Sequence, residues 1–145
     1  RYALNRLPGE VRDFIEQLDA CHDVGKCAPS SVAPELRSQL RPVVHPIVRL
    51  HPETREQLLF VNCAYTTRVI GLSEESSSAL LNLLFRQVLV PESQCRVRWT
   101  DDTVVVWDNR ALQHYAVGDY LPATRVMERV SLGGDRPIPA RRAVH

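Results

Sequence analysis

The sequence predicts a mixed α+β fold that is mainly β, and three observations carry the expectation. Short runs rich in β-branched residues sit between turn-forming residues, as in Thr103-Val104-Val105-Val106-Trp107 followed by Asp108-Asn109. Two other stretches, after Pro8 and after Ser73, space their apolar residues at helical intervals. Of the 145 residues 44% are hydrophobic and 24% charged, which is ordinary for one globular domain and sufficient for a core.

From Pro8 to about His22, the recurrence of Val11, Phe14, Ile15, Leu18 and Cys21 predicts an amphipathic helix, with Pro8 and Glu10 suited to its first turn. His22-Asp23 then reads as the helix end, since no third ligand lies at metal-binding spacing. Gly25 to Pro42 holds Ala28-Pro29-Ser30-Ser31 and Ala33-Pro34, a composition that breaks regular structure and predicts a surface loop. Pro46 to Leu50 and Gln57 to Asn62 read as the arms of a hairpin around His51-Pro52-Glu53-Thr54. Ser73 is an N-cap candidate, Glu74 and Glu75 suit the positive first turn, and Leu80, Leu81, Leu84, Phe85 and Val88 form the apolar stripe of a helix stopped by Pro91.

Beyond the helix the expected elements are strands. Gln94 to Trp99 alternates Arg96 and Arg98 with Cys95, Val97 and Trp99, a half-exposed strand with solvated arginines. Thr103 to Trp107 reads as buried, Leu112 to Val117 follows the Asp108-Asn109 turn, and Thr124 to Leu132 makes a third strand after Gly118-Asp119 and Leu121-Pro122. On that third strand Arg125, Met127 and Arg129 share one face, while Glu128 lies on the other with Val126, Val130 and Leu132. Both guanidiniums are thus left without a same-face acid, and an arginine fork is shaped for bidentate capture of an oxyanion. The pattern alone leaves the pair open between solvated surface and an anion site, and His114 open between a structural histidine and a ligand. Gly133 to Pro137 reads as a turn, followed by a basic tail expected to fray.

Charge and cysteine usage narrow the function classes. With 18 basic and 17 acidic residues the net charge is +1, so nothing in the balance points to nucleic acid. No apolar run reaches the length of a membrane span and no signal-peptide core is visible, so a cytoplasmic location is expected. Cys21, Cys27, Cys63 and Cys95 have no CxxC or zinc-ligand spacing and are expected as reduced thiols. His51-Pro52-Glu53 has the His-x-Glu spacing of an iron-binding arm, in which a histidine and a carboxylate two residues apart hold one metal face.

The segments WDNR, QHYA, DYLP, RVMER and GDRP resemble the C-terminal signature of the taurine dioxygenase (TauD/TfdA) family of Fe(II)/2-oxoglutarate-dependent oxygenases. HPIVRLHPET, LLFVN, YTTRVIGLSEE and the leucine-rich helix extend the resemblance from roughly Leu40 to Pro137. It implies the C-terminal half of a double-stranded β-helix, or jelly-roll, with flanking helices, the 145 residues forming one partial dioxygenase domain that lacks its N-terminal half. Its implied cofactors are Fe(II), 2-oxoglutarate as co-substrate and O2, with release of succinate and CO2 as a small organic anion such as a sulfonate, alkyl sulfate or carboxylate is oxidised.

Carried over by position, the resemblance makes His114 the distal iron ligand, Arg125 the partner of the remote carboxylate of 2-oxoglutarate and Arg129 the contact to the substrate anion. Tyr65 stands at an aromatic substrate-facing position, and the Gly25 to Pro42 loop at an insertion that suits a substrate lid as well as a plain linker. The HPET segment is a structural turn in the family, which removes His51 and Glu53 as ligands. The family's His-x-Asp iron arm has no counterpart here, and Thr103 and Glu128 stand where many relatives carry aspartate and histidine. The chain by itself is therefore expected to be inactive. The alternative is a non-catalytic jelly-roll remnant that binds an anion or a partner. No nucleic-acid or membrane partner is implied, and a homo-oligomer is left open.

Overall fold

The computed structural model describes residues 1–27 and 39–141. Two antiparallel three-stranded sheets, four α-helices and one 3-10 helix make up the described elements, so the fold is mixed α/β. Helix α1 (Tyr2–Asn5) leads into α2 (Gly9–Glu16), where Pro8 stands at the N-cap and Glu10 lies in the first turn. Here the structure corrects the expected helix from Pro8 to His22. The helix ends at Gln17, and Asp19–His22 form β1, the central strand of the first sheet, between β2 (Val43–Pro46) and β5 (Thr66–Val69). Ala20, Cys21 and His22 are buried in succession. A strand covered on both faces buries consecutive residues, and the helical spacing of Leu18 and Cys21 imitated that pattern.

A single residue, Ile47, carries the chain from β2 to β3 (Val48–Leu50) and thus from one sheet to the other. It is fully buried, its N–H donates to the Leu18 carbonyl (3.0 Å), and its own carbonyl accepts from Phe60 N–H (2.7 Å). The expected hairpin is present. Strand β3 pairs with β4 (Gln57–Leu59) across the turn that begins at His51, where Arg55 adopts a left-handed φ of 61° and its N–H returns to the His51 carbonyl (2.9 Å). The second sheet is completed by β6 (Ile138–Pro139), which lies along the other edge of β3.

Helix α4 (Glu74–Arg86) follows its sequence signals closely. The Ser73 hydroxyl accepts from Ser76 N–H (3.2 Å), Glu74 and Glu75 occupy the first turn, and Arg86 the last. Leu81 and Leu84 enter a core with Leu4, Leu7, Ile15, Ala20, Ile47, Val48, Val61 and Val69, so both sheets and three helices share one apolar interior. Buried Ser77 ties the helix to β5 by accepting from Val69 N–H (2.7 Å).

The region after α4 departs from expectation. Pro91–Ser93 form one 3-10 turn, and residues 94–137 contain no strand, so those expected at Gln94 to Trp99, Thr103 to Trp107, Leu112 to Val117 and Thr124 to Leu132 are not formed. A strand is defined by the ladder it makes with a neighbour, and no neighbour pairs with these segments among the described residues. The alternation itself persists. Thr103, Val105 and Trp107 are half-buried while Val104 and Val106 face outward, and Val104, Val106, Val126, Val130 and Leu132 are each at least 85% exposed. The tail expected to fray is instead anchored as far as Arg141, because Ala140 N–H donates to the Val48 carbonyl (3.1 Å) and the Arg141 fork holds both oxygens of Asp19 (2.9 Å each). Most of the expected Gly25 to Pro42 loop lies outside the described residues. Its first residues belong to the short helix α3 (Val24–Cys27). Cys21, Cys63 and Cys95 are free thiols, and among the described residues no helix is long and apolar enough to cross a membrane.

Candidate functional site

The turn that opens WDNR is the best-defined polar arrangement near the predicted site residues. Asp108 caps its own turn, with Oδ1 accepting from Arg110 N–H (2.8 Å) and its carbonyl accepting from Ala111 N–H (3.1 Å) and Leu112 N–H (3.0 Å). The same carboxylate takes Arg110 Nε (2.9 and 3.1 Å) and Nη2 (2.8 Å), while Nη2 also reaches Glu53 Oε1 (2.9 Å). His51 Nε2 lies 2.9 Å from Asp108 Oδ2. His51 Nδ1 accepts from the amides of Glu53 (3.3 Å) and Thr54 (3.2 Å), so the ring proton sits on Nε2 and is donated to Asp108. Both ring nitrogens of His51 are thereby engaged. Arg110 and then the His51 N–H hold the Asp108 carboxyl well below the usual carboxylate range, and Asp108 followed by Glu53 pushes the Arg110 guanidinium further up.

His114 lies six residues along, exposed, its ring 5.0 Å from that of Trp107. The preceding residue is fixed, since Gln113 Nε2 donates to the Val61 carbonyl (2.8 Å). Arg125 is half-buried with its guanidinium 5.4 Å from the centre of the Tyr120 ring, and Arg129 is exposed. Among the described residues neither arginine has a carboxylate partner. Tyr65 is partly exposed at the end of an Asn62 turn, in which Asn62 Oδ1 accepts from the amides of Ala64 and Tyr65 (2.9 Å each). Among the described residues no hydrogen bond, ion pair or ring contact joins His114, Arg125, Arg129 and Tyr65 to one another, and no three His, Cys, Asp or Glu side chains come together to hold a metal ion.

Two polar groupings had escaped the sequence reading. The His51, Glu53, Asp108 and Arg110 cluster joins residues 57 positions apart, and its only local trace is the Asp-x-Arg pair in the turn. The second is a ring cluster in which His22 stacks on Phe60 (5.5 Å) and meets His45 edge-on (5.4 Å), with the buried Arg49 guanidinium 5.0 Å from the Phe60 centroid. His22 Nδ1 lies 3.3 Å from Thr66 Oγ1, and Nε2 is buried without a hydrogen-bond partner among the described residues. Burial, then the neighbouring His45, pushes the His22 imidazole down to about 4, and burial followed by Arg49 and Arg136 lowers His45.

The sequence profile of the taurine catabolism dioxygenase TauD, TfdA family matches residues 1–131. The chain is 37% identical over 145 residues to an alkylsulfatase of Acinetobacter baylyi, with 92% of this chain and 45% of that protein covered. It is 34% identical over 140 residues to the alpha-ketoglutarate-dependent sulfonate dioxygenase of Saccharomyces cerevisiae, with 94% and 34% covered. Among solved structures, a taurine dioxygenase from Burkholderia xenovorans superposes with a TM-score of 0.56 at 30% identity, over 68% of this chain and 31% of the other. The chain thus spans between a third and a half of the curated relatives named here. With the Asp108 turn, His114 and both arginines all inside the matched residues, the chain belongs to the TauD, TfdA family of dioxygenases.

Proposed function

We propose that this chain is the C-terminal, jelly-roll part of a cytoplasmic Fe(II)- and 2-oxoglutarate-dependent dioxygenase that oxidises a small organic anion, a sulfonate, alkyl sulfate or carboxylate, using O2. The carrying observation is the family match over residues 1–131, which takes in every candidate site residue. Likeness to an alkylsulfatase and to a sulfonate dioxygenase supports the substrate class. The period-two exposure of residues 103–107 supports the fold, because an extended segment sends alternate side chains to a covered face and an open one.

The described residues do not by themselves build an iron site. His114 is one imidazole donor, and no second or third ligand joins it among them. The remaining ligands are assigned to other parts of the dioxygenase. This chain's own contribution is charge and position. Arg125, half-buried and braced on Tyr120, offers a fork to the remote carboxylate of 2-oxoglutarate, and Arg129, four residues on and without an acidic partner, offers one to the substrate anion. Tyr65 presents its ring to the substrate from the Asn62 turn.

The test is anaerobic 2-oxoglutarate titration of the dioxygenase bearing Arg125→Ala or Arg129→Ala. Removing one side of a desolvated charge pair costs about 2–5 kcal/mol, so Arg125→Ala weakens 2-oxoglutarate by roughly tens- to thousands-fold. Arg129→Ala chiefly raises the substrate KM and leaves 2-oxoglutarate affinity near wild type. Equal loss in both variants means one shared anion site, and no loss in either removes the cofactor assignment.

A further inference from the structure

We propose that His51 is a positioning residue for His114, acting through a clasp on Asp108. The inference rests on the reading of His114 as an iron ligand, but its geometry stands on the chain itself. The segment from Asp108 to Gln113 is attached at its start to the turn of the β3–β4 hairpin and at its end to the chain just after it. At its start the His51 Nε2 proton meets Asp108 Oδ2 (2.9 Å), and Arg110 bridges Asp108 to Glu53 (2.8 and 2.9 Å). At its end Gln113 Nε2 holds the carbonyl of Val61, just beyond β4 (2.8 Å). His114 is the next residue. The long stretch that follows makes few such attachments, so the imidazole stands at the edge of the anchored part of the segment.

Burial is what gives the His51 contact its leverage. The His51 side chain is 8% exposed, so its N–H points at one acceptor and has little access to water as a substitute. The imidazole performs two separable jobs. Nδ1 closes the 51–54 turn by accepting two amides, and Nε2 reaches across to the Asp108 turn. Asparagine places an acceptor oxygen near the position of Nδ1 and has nothing at Nε2. Glutamine carries a donor to the region of Nε2 and leaves the two amides of the turn without their acceptor. The two substitutions therefore separate closing the hairpin turn from positioning the segment that ends in His114.

The experiment compares His51→Asn and His51→Gln by amide hydrogen exchange and by the imidazole nitrogen resonances of His114 in the whole chain. In His51→Asn the amides of Glu53 and Thr54 stay protected, those of Arg110, Ala111 and Leu112 exchange about tenfold faster, and the His114 ring signals shift or broaden. In His51→Gln the pattern reverses. Gln113→Ala, at an exposed position, is a second probe and moves the His114 signals while Arg110 and Ala111 stay protected. The proposal is overturned if His51→Asn leaves Arg110 to Leu112 and the His114 ring unchanged, if His51→Gln releases them as fully as His51→Asn, or if Gln113→Ala leaves the ring unmoved. Anaerobic Fe(II) titration of the dioxygenase is read separately. Wild-type protein whose iron affinity does not depend on His114 sinks the functional reading, while the exchange and ring signals still decide the clasp.

Discussion

His22 shows how far a single side chain can depart from its sequence context. Next to Asp23 it has the look of a polar helix end, yet it is 9% exposed, stacked on Phe60 and pushed down to about 4, chiefly by burial. In the unfolded chain the imidazole titrates near its ordinary 6.5, so between these values the unfolded state binds the extra proton. The contribution of His22 is therefore complete above about pH 6.5 and is lost as pH falls towards 4, on the order of 3 kcal/mol in all. Asp108, held low by Arg110 and His51, adds a second loss at lower pH as its carboxylate protonates. Urea unfolding from pH 7.5 to 4.5 should show the first loss, and His22→Phe should flatten it. An unchanged slope in that variant would place the proton uptake elsewhere. None of this was legible at residues 22–23, because the strands that bury His22 arrive from positions 43–46 and 66–69.

At the scale of elements, legibility tracked the distance over which each element is specified. Helix α4 carries its own instructions: a cap, two acids in the first turn and an apolar stripe, all within its own stretch of chain. The β3–β4 hairpin is nearly as local. Strand β1 was misread because its burial comes from two distant partners, and residues 94–137 were overread because alternation fixes which side chains share a face but does not supply a ladder. The same logic sets the value of two serines on α4. Ser73→Ala removes an exposed cap and should cost about 1 kcal/mol. Ser77→Ala strands the buried N–H of Val69 and should cost about 1–3 kcal/mol, loosening β5 as well as the helix. Chemical denaturation of the two variants checks the order, and a smaller effect at Ser77 would show that water satisfies that amide.

For the whole molecule, the candidate site residues rest on motif alone and their spatial assembly is not legible in the sequence, since His114, Arg125 and Arg129 all lie in the stretch that lacks sheet partners. Stability should be divided accordingly. Amides of β1, β5 and α4 should exchange slowest, and those of residues 95–107 and 114–137 fastest, because the backbone bonds described there are isolated turns at Thr100 and Tyr120. Protection across 103–107 and 124–132 equal to that of β5 would show that these segments find ladders after all. Beyond that stretch the chain returns, as β6 lies along β3 and Arg141 grips Asp19 across 122 positions. That return has a consequence for how the protein is made. The free edge of β3 leaves the ribosome roughly 90 residues ahead of the strand that covers it, an interval on the order of 5–20 seconds at ordinary rates of synthesis. Through that interval the nascent chain displays an open strand edge, a row of unpaired backbone groups that templates pairing with other chains until β6 covers it.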